Sequence, residues 1–109
     1  MAGAVHESGW HAVAQWEELR DGLTPVEVGD ETVLLVRIGE GLHACAFTCP
    51  HKFTPLSDGT VAPSGTLTCP MHDATFDLAS GRPMPGQEWA GNLPLYPVRV
   101  RDGVVEVQL

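Results

Sequence analysis

Four residues in two short stretches have the types and the spacing for metal chemistry. Cys49-Pro50-His51 offers one thiolate and one imidazole. Cys69-Pro70-Met71-His72 offers the same pair again, and 17 residues separate His51 from Cys69. Two soft thiolates and two imidazoles suit a [2Fe–2S] cluster with unequal irons, one iron taking both Cys and the other both His. Each stretch then gives its Cys to one iron and its His to the other. A proline follows each Cys and stiffens the loop that must aim both ligands. Zinc uses the same ligand types. The usual zinc spacings, however, pair Cys with Cys and His with His, whereas here each stretch is mixed. A chain that keeps the four residues and binds nothing is the remaining alternative.

Cys-x-His, a 17-residue spacer and Cys-x-x-His together resemble the signature of the Rieske iron–sulfur proteins. The resemblance extends through Leu56-Ser57-Asp58-Gly59, Phe76-Asp77 with Gly81, then Pro83 and Pro85, and Leu95, Pro97, Val98 and Val100 before a closing hairpin. It runs from Trp10 to the C-terminus. It implies one [2Fe–2S] cluster held by Cys49, His51, Cys69 and His72. It also implies an all-β fold: an antiparallel sandwich or barrel base carrying a small inserted cluster-binding subdomain, about residues 48–86, within one domain of residues 1–109. By resemblance, Gly81–Gly86 is the proline-rich loop that covers the cluster, where it would exclude water. The alternative on composition alone is an ordinary rigid turn.

The elements that must position these loops are short and β-rich. Residues 1–9 read as a loose lead-in. Alternation predicts a first strand over Trp10–Trp16, then a turn or single helical turn ended by Gly22. Thr24–Val28 is a second strand, with Pro25 near its start or on an edge. Thr32–Ile38 is apolar on both faces for much of its length, which suits a central strand. Leu42–Phe47 leads into the first ligand stretch. Thr66–Thr68 feeds the second and Thr75–Leu78 leaves it, so the ligands fall on two loops at hairpin tips. Residues 87–92 read as an irregular connection. Residues 92–101 read as one strand whose prolines suit an edge or bulge. Asp102-Gly103 is a strong hairpin signal. No helical periodicity of ten or more residues is present, and the turn spacing argues a sandwich or barrel.

The chain has 109 residues, enough for one domain and not two. Its formal net charge of −8 makes nucleic acid and anionic membranes poor partners. The acidity suits either solubility or a basic docking patch on a redox partner. No apolar run is long enough to span a bilayer, and Met1–Glu7 lacks the basic and apolar regions of a secretory signal. These features point to a cytoplasmic protein. Of three cysteines, Cys45 is left over. It lies in a predicted strand and reads as a small buried thiol. No structural disulfide is expected, in keeping with a reducing compartment. His6, His11 and His43 read as surface or strand histidines.

The resemblance also bears on redox potential. High-potential members carry an additional cysteine on each arm, joined as a disulfide; Thr54 and Met71 stand at those places here. The same members have a Ser and a Tyr that donate hydrogen bonds to sulfur, and Ala74 and Phe76 stand there instead. Neither has a side-chain donor. Asp73 replaces a usual Gly and adds negative charge. All of this predicts the low-potential class. The function implied is a ferredoxin that takes single electrons from a flavoprotein reductase using a nicotinamide cofactor. It passes them to a terminal oxygenase, often one hydroxylating an aromatic ring. Such a carrier is itself no catalyst, binds no organic substrate and works as a monomer. The alternatives are a small subunit of an assimilatory nitrite reductase and an interaction module without a cluster.

Overall fold

The computed structural model describes residues 9–71 and 73–109. Residues 1–8 of the expected lead-in, His6 among them, and the fourth predicted ligand, His72, lie outside the described residues. Among the described residues, ten strands form three antiparallel sheets. Strand β1 (Trp10–Gln15) pairs with β10 (Val104–Gln108), which pairs with β9 (Val98–Arg101). The second sheet runs β2 (Gly22–Val28), β3 (Glu31–Ile38), β4 (Gly41–Ala46) and β8 (Leu95–Tyr96). The third is small: β5 (Thr60–Ala62), β6 (Thr66–Thr68) and β7 (Thr75–Asp77). Among the described residues no helix is long and apolar enough to cross a membrane.

Strand β3 is central, as its composition predicts. Val33, Leu34, Leu35 and Val36 are all fully buried. Successive side chains on a strand point to opposite faces, so the four residues divide between two cores. Val33 and Leu35 pack with Val28, Ala44, Val105 and Val107 between the first two sheets. Leu34 and Val36 pack with Cys45, Leu56, Leu67, Phe76 and Leu78 on the other side. Burying each such Leu or Val contributes roughly 1.5–3 kcal/mol. The second core also holds Cys49 and Cys69, so the sheet that anchors the base is the floor of the ligand region.

Pro25 lies in β2, an edge strand, where its missing N–H breaks no ladder. The hairpin at Asp102-Gly103 forms with φ of +53 and +79, the left-handed pair that a two-residue turn requires. Cys45 is fully buried opposite Leu34 and Leu95, and burial pushes its thiol up to about 12. It is the small buried thiol expected.

The structure corrects the sequence reading in four places. Residues 92–101 are two strands in different sheets. Pro97 separates them, and lacking an N–H it cannot carry a ladder, so the chain crosses from β8 in the second sheet to β9 in the first. The first strand stops at Gln15, and Trp16–Glu18 turn as a single 3₁₀ turn. Thr60–Ala62, within residues 52–65 that read from sequence as a connection with two turn signals, is a strand, because it completes the third sheet against β6. The connection 87–92 contains a 3₁₀ turn, Glu88–Ala90, held by Ala90 N–H to Gln87 C=O at 2.9 Å.

Candidate metal centre

The two ligand stretches fold as two loops of matching geometry. In the first, Thr48 bridges Pro55, and Cys49 N–H donates to Thr54 C=O at 2.8 Å. In the second, Thr68 faces Thr75 across β6 and β7, and Cys69 N–H donates to Ala74 C=O at 2.7 Å. Each loop thus opens on a cysteine and closes on the carbonyl five residues later. The residue before that carbonyl, Phe53 in one and Asp73 in the other, has a φ of +58 or +55. That region disfavours a side chain with a Cβ and suits Gly best, with Asp tolerated. A Gly at position 73, usual in the resembled family, would meet the same backbone demand.

The loops rest on close backbone contacts. Leu56 N–H donates to Phe47 C=O at 2.7 Å and its side chain is buried under the first loop. A Cβ on Gly59 would stand 2.4 Å from the Thr68 carbonyl oxygen. Glycine there lets the chain pass directly against the residue that leads into Cys69, which gives Leu56-Ser57-Asp58-Gly59 a physical purpose. Thr75 Oγ1 lies 3.0 Å from Thr68 Oγ1 and 3.2 Å from the Asp73 carbonyl, so it ties the neck of the second loop.

Cys49 and Cys69 are brought together, each buried. Burial raises the Cys69 thiol, and the hydrogen bond and charge of the neighbouring Cys49 raise it further; a backbone hydrogen bond from Met71 acts the other way. His51 points Nδ1 inward, shielded from solvent. Its ring sits 4.8 Å from the Trp89 ring at 68°, an edge-to-face contact. Among the described residues, no three His, Cys, Asp or Glu side chains close into a group that would hold one metal ion. Ala74 and Phe76 are fully buried beside the second loop and offer no side-chain donor.

Residues 82–84 run alongside β7: Asp77 N–H donates to Arg82 C=O, Pro83 bridges Phe76, and Met84 N–H donates to Thr75 C=O. The next segment brings side chains onto the ligand loops. Gln87 and Trp89, which sequence reasoning passed over, reach the second and first loops respectively. Neither sits at a telling spacing, so sequence offered no signal for them.

The donor set fits an iron–sulfur cluster. Burial opposes ionisation of the Cys69 thiol, and a cationic iron is what would hold it as a thiolate beside Cys49. An inward imidazole nitrogen two residues from one of them is a second ligand type at the same mouth.

A family model of the Rieske [2Fe–2S] domain matches residues 9–97. The anthranilate 1,2-dioxygenase ferredoxin subunit of Burkholderia cepacia is 32% identical over 103 residues, covering 92% of each chain. In the solved complex of reduced oxygenase and oxidized ferredoxin in carbazole 1,9a-dioxygenase, a matching chain superposes with a TM-score of 0.80 at 26% identity, covering 94% of each chain. A nitrite reductase small subunit described as putative and NADH-dependent, from Mycobacterium tuberculosis, superposes with a TM-score of 0.80, covering 92% of this chain and 94% of that one. At 24% identity this likeness extends to the fold alone. With its paired six-residue loops, the buried cysteine that opens each of them and a match over most of its length, the chain belongs to the Rieske [2Fe–2S] domain family.

Proposed function

We propose that this chain is a low-potential Rieske ferredoxin that carries single electrons to a terminal oxygenase acting on aromatic rings. The observation that carries the reading is the pair of matched loops that bring Cys49 and Cys69 together, in a chain similar along nearly its whole length to a dioxygenase ferredoxin subunit. Cys49 and Cys69 would hold one iron, and His51 and His72 the other, within a cluster-binding subdomain of about residues 48–86. When bound, the cluster supplies storage for one electron. The residues set how readily it is stored. Ala74 and Phe76 offer sulfur no side-chain donor, and the hydroxyl nearest the loop neck, Thr75, is engaged by Thr68 and the Asp73 carbonyl. Each absent charge-assisted bond removes roughly 1.5–3 kcal/mol from the reduced state. At ~59 mV per 1.4 kcal/mol for one electron, two such losses lower the potential by about 130–250 mV.

The surface around the loops supports docking by a protein. Phe53 is 75% exposed at the tip of the first loop, Met71 51% exposed on the second, and Trp89 51% exposed against His51. Exposed apolar side chains grouped near a buried redox site suit a transient contact with another protein. We assign a flavoprotein reductase as donor and the oxygenase as acceptor. We assign the carrier to the cytoplasm, working as a monomer.

An EPR-monitored redox titration of the purified protein tests the reading. The expected result is a mixed His/Cys [2Fe–2S] signal with a midpoint below about +150 mV. The same signal above that value would overturn the low-potential assignment. Zinc without iron or sulfide would overturn electron transfer itself. Reduction by a separate flavoprotein reductase distinguishes a mobile carrier from a fixed subunit of one enzyme.

A further inference from the structure

The segment from Gln87 to Gly91 touches both ligand loops. At one end, Gln87 uses its whole amide: Oε1 accepts from Thr75 N–H at 2.8 Å, and Nε2 donates to the Asp73 carbonyl at 3.2 Å. Those two backbone groups flank Ala74, whose carbonyl closes the second loop on Cys69. Gln87 therefore fixes the exit of that loop. Two residues on, the Trp89 ring meets the His51 ring edge to face at 4.8 Å. Gly91 follows, and a Cβ there would lie 4.0 Å from Pro50 Cβ, so the backbone passes beside the first loop. Between these contacts Ala90 is buried in the core that contains Cys49 and Cys69. The 3₁₀ turn Glu88–Ala90 makes the segment short and stiff.

We propose that residues 87–91 are a strap that sets the two ligand loops relative to one another, with Gln87 and Trp89 as its positioning residues. Gln87 acts on the second loop through its backbone. Trp89 acts on the ring plane of His51. The amide contact is directional and partly buried on its Thr75 side; it gives Thr75 N–H an acceptor and shares the Asp73 carbonyl with Thr75 Oγ1. The ring contact restrains the rotation of an imidazole whose orientation decides how it meets iron. Ala90 anchors both to the floor of the site, so the strap and the loops move as one body.

The inference rests on the cluster reading above, and one set of variants of the cluster-loaded protein separates the two. Gln87→Ala, Gln87→Glu, Trp89→Ala and Trp89→Phe are compared with the parent protein by EPR g-values, midpoint potential and rate of cluster loss under an iron chelator. Trp89→Ala is expected to shift the g-values and the midpoint, and Trp89→Phe, which keeps a ring edge, to return both towards the parent values. Gln87→Ala is expected to lose its cluster about tenfold faster. Gln87→Glu keeps the acceptor for Thr75 N–H and should fall between. If the alanine variants do not fold, the two conservative variants decide by the same readouts. A parent protein with a [2Fe–2S] signal and variants that match it in all three readouts would overturn the strap alone. A parent protein without that signal would overturn the cluster reading and the strap with it.

Discussion

Residues 49–54 and 69–74 close with the same hydrogen bond, from a cysteine N–H to the carbonyl five residues on, and both place their fifth residue at a φ near +55. Their supports differ. The second loop is the tip of a regular hairpin, β6 to β7, with its neck tied by Thr68 and Thr75 and its exit held by Gln87. The first loop rises from a single bridge, Thr48 to Pro55, and relies on buried Leu56 below and the Trp89 ring beside His51. The fifth residues differ too: Asp73 tolerates the left-handed region, and Phe53 does not. The contrast shows that the loop conformation is set by its closing bond and its cysteine. The residues at the other positions are free to serve neighbours.

The largest effect that tests this equivalence is removal of a cysteine. Cys49→Ser and Cys69→Ser are each expected to abolish the cluster, read as loss of iron, sulfide and visible absorption. Retention in one variant and not the other would break the symmetry. The next effect bears on the floor beneath the second loop. Gly59→Ala places a methyl 2.4 Å from the Thr68 carbonyl oxygen, and should cost about 2–3 kcal/mol in denaturant unfolding. Gly65→Ala serves as a control of another kind: it meets no atom within 4 Å, and only its φ of +100 opposes it. It should cost less, about 1 kcal/mol. The smallest effect sharpens the contrast at the fifth position. Phe53→Gly should stabilise the fold by up to about 1 kcal/mol, and Asp73→Gly by less, because Asp already suits that backbone. Equal gains would mean the two loops bear the same strain.

Much of this was legible in the sequence, because its signals are local. Four apolar residues in a row gave β3 its central place. Asp102-Gly103 gave the last hairpin. Each ligand stretch is contiguous, so its two candidate ligands could be named from type and spacing, and Cys49 and Cys69 do meet. What escaped was non-local. Pro97 reads as an irregularity in one strand until two sheets compete for its flanks. Thr60–Ala62 becomes a strand only because β6 lies beside it. Gln87 and Trp89 are polar and aromatic residues in an irregular stretch, and their partners lie 12 and 38 positions away along the chain.

Strand β3 has one further consequence. Its backbone amides are walled off on both sides, since Val33 and Leu35 fill one core while Leu34 and Val36 fill the other. The two ends of the molecule therefore have no separate melting point to report. Deuterium reaches these amides only when both cores open together. A single exchange rate at Val33–Val36 thus gauges the whole protein, and any substitution that loosens the ligand end should quicken exchange in the strand furthest from solvent.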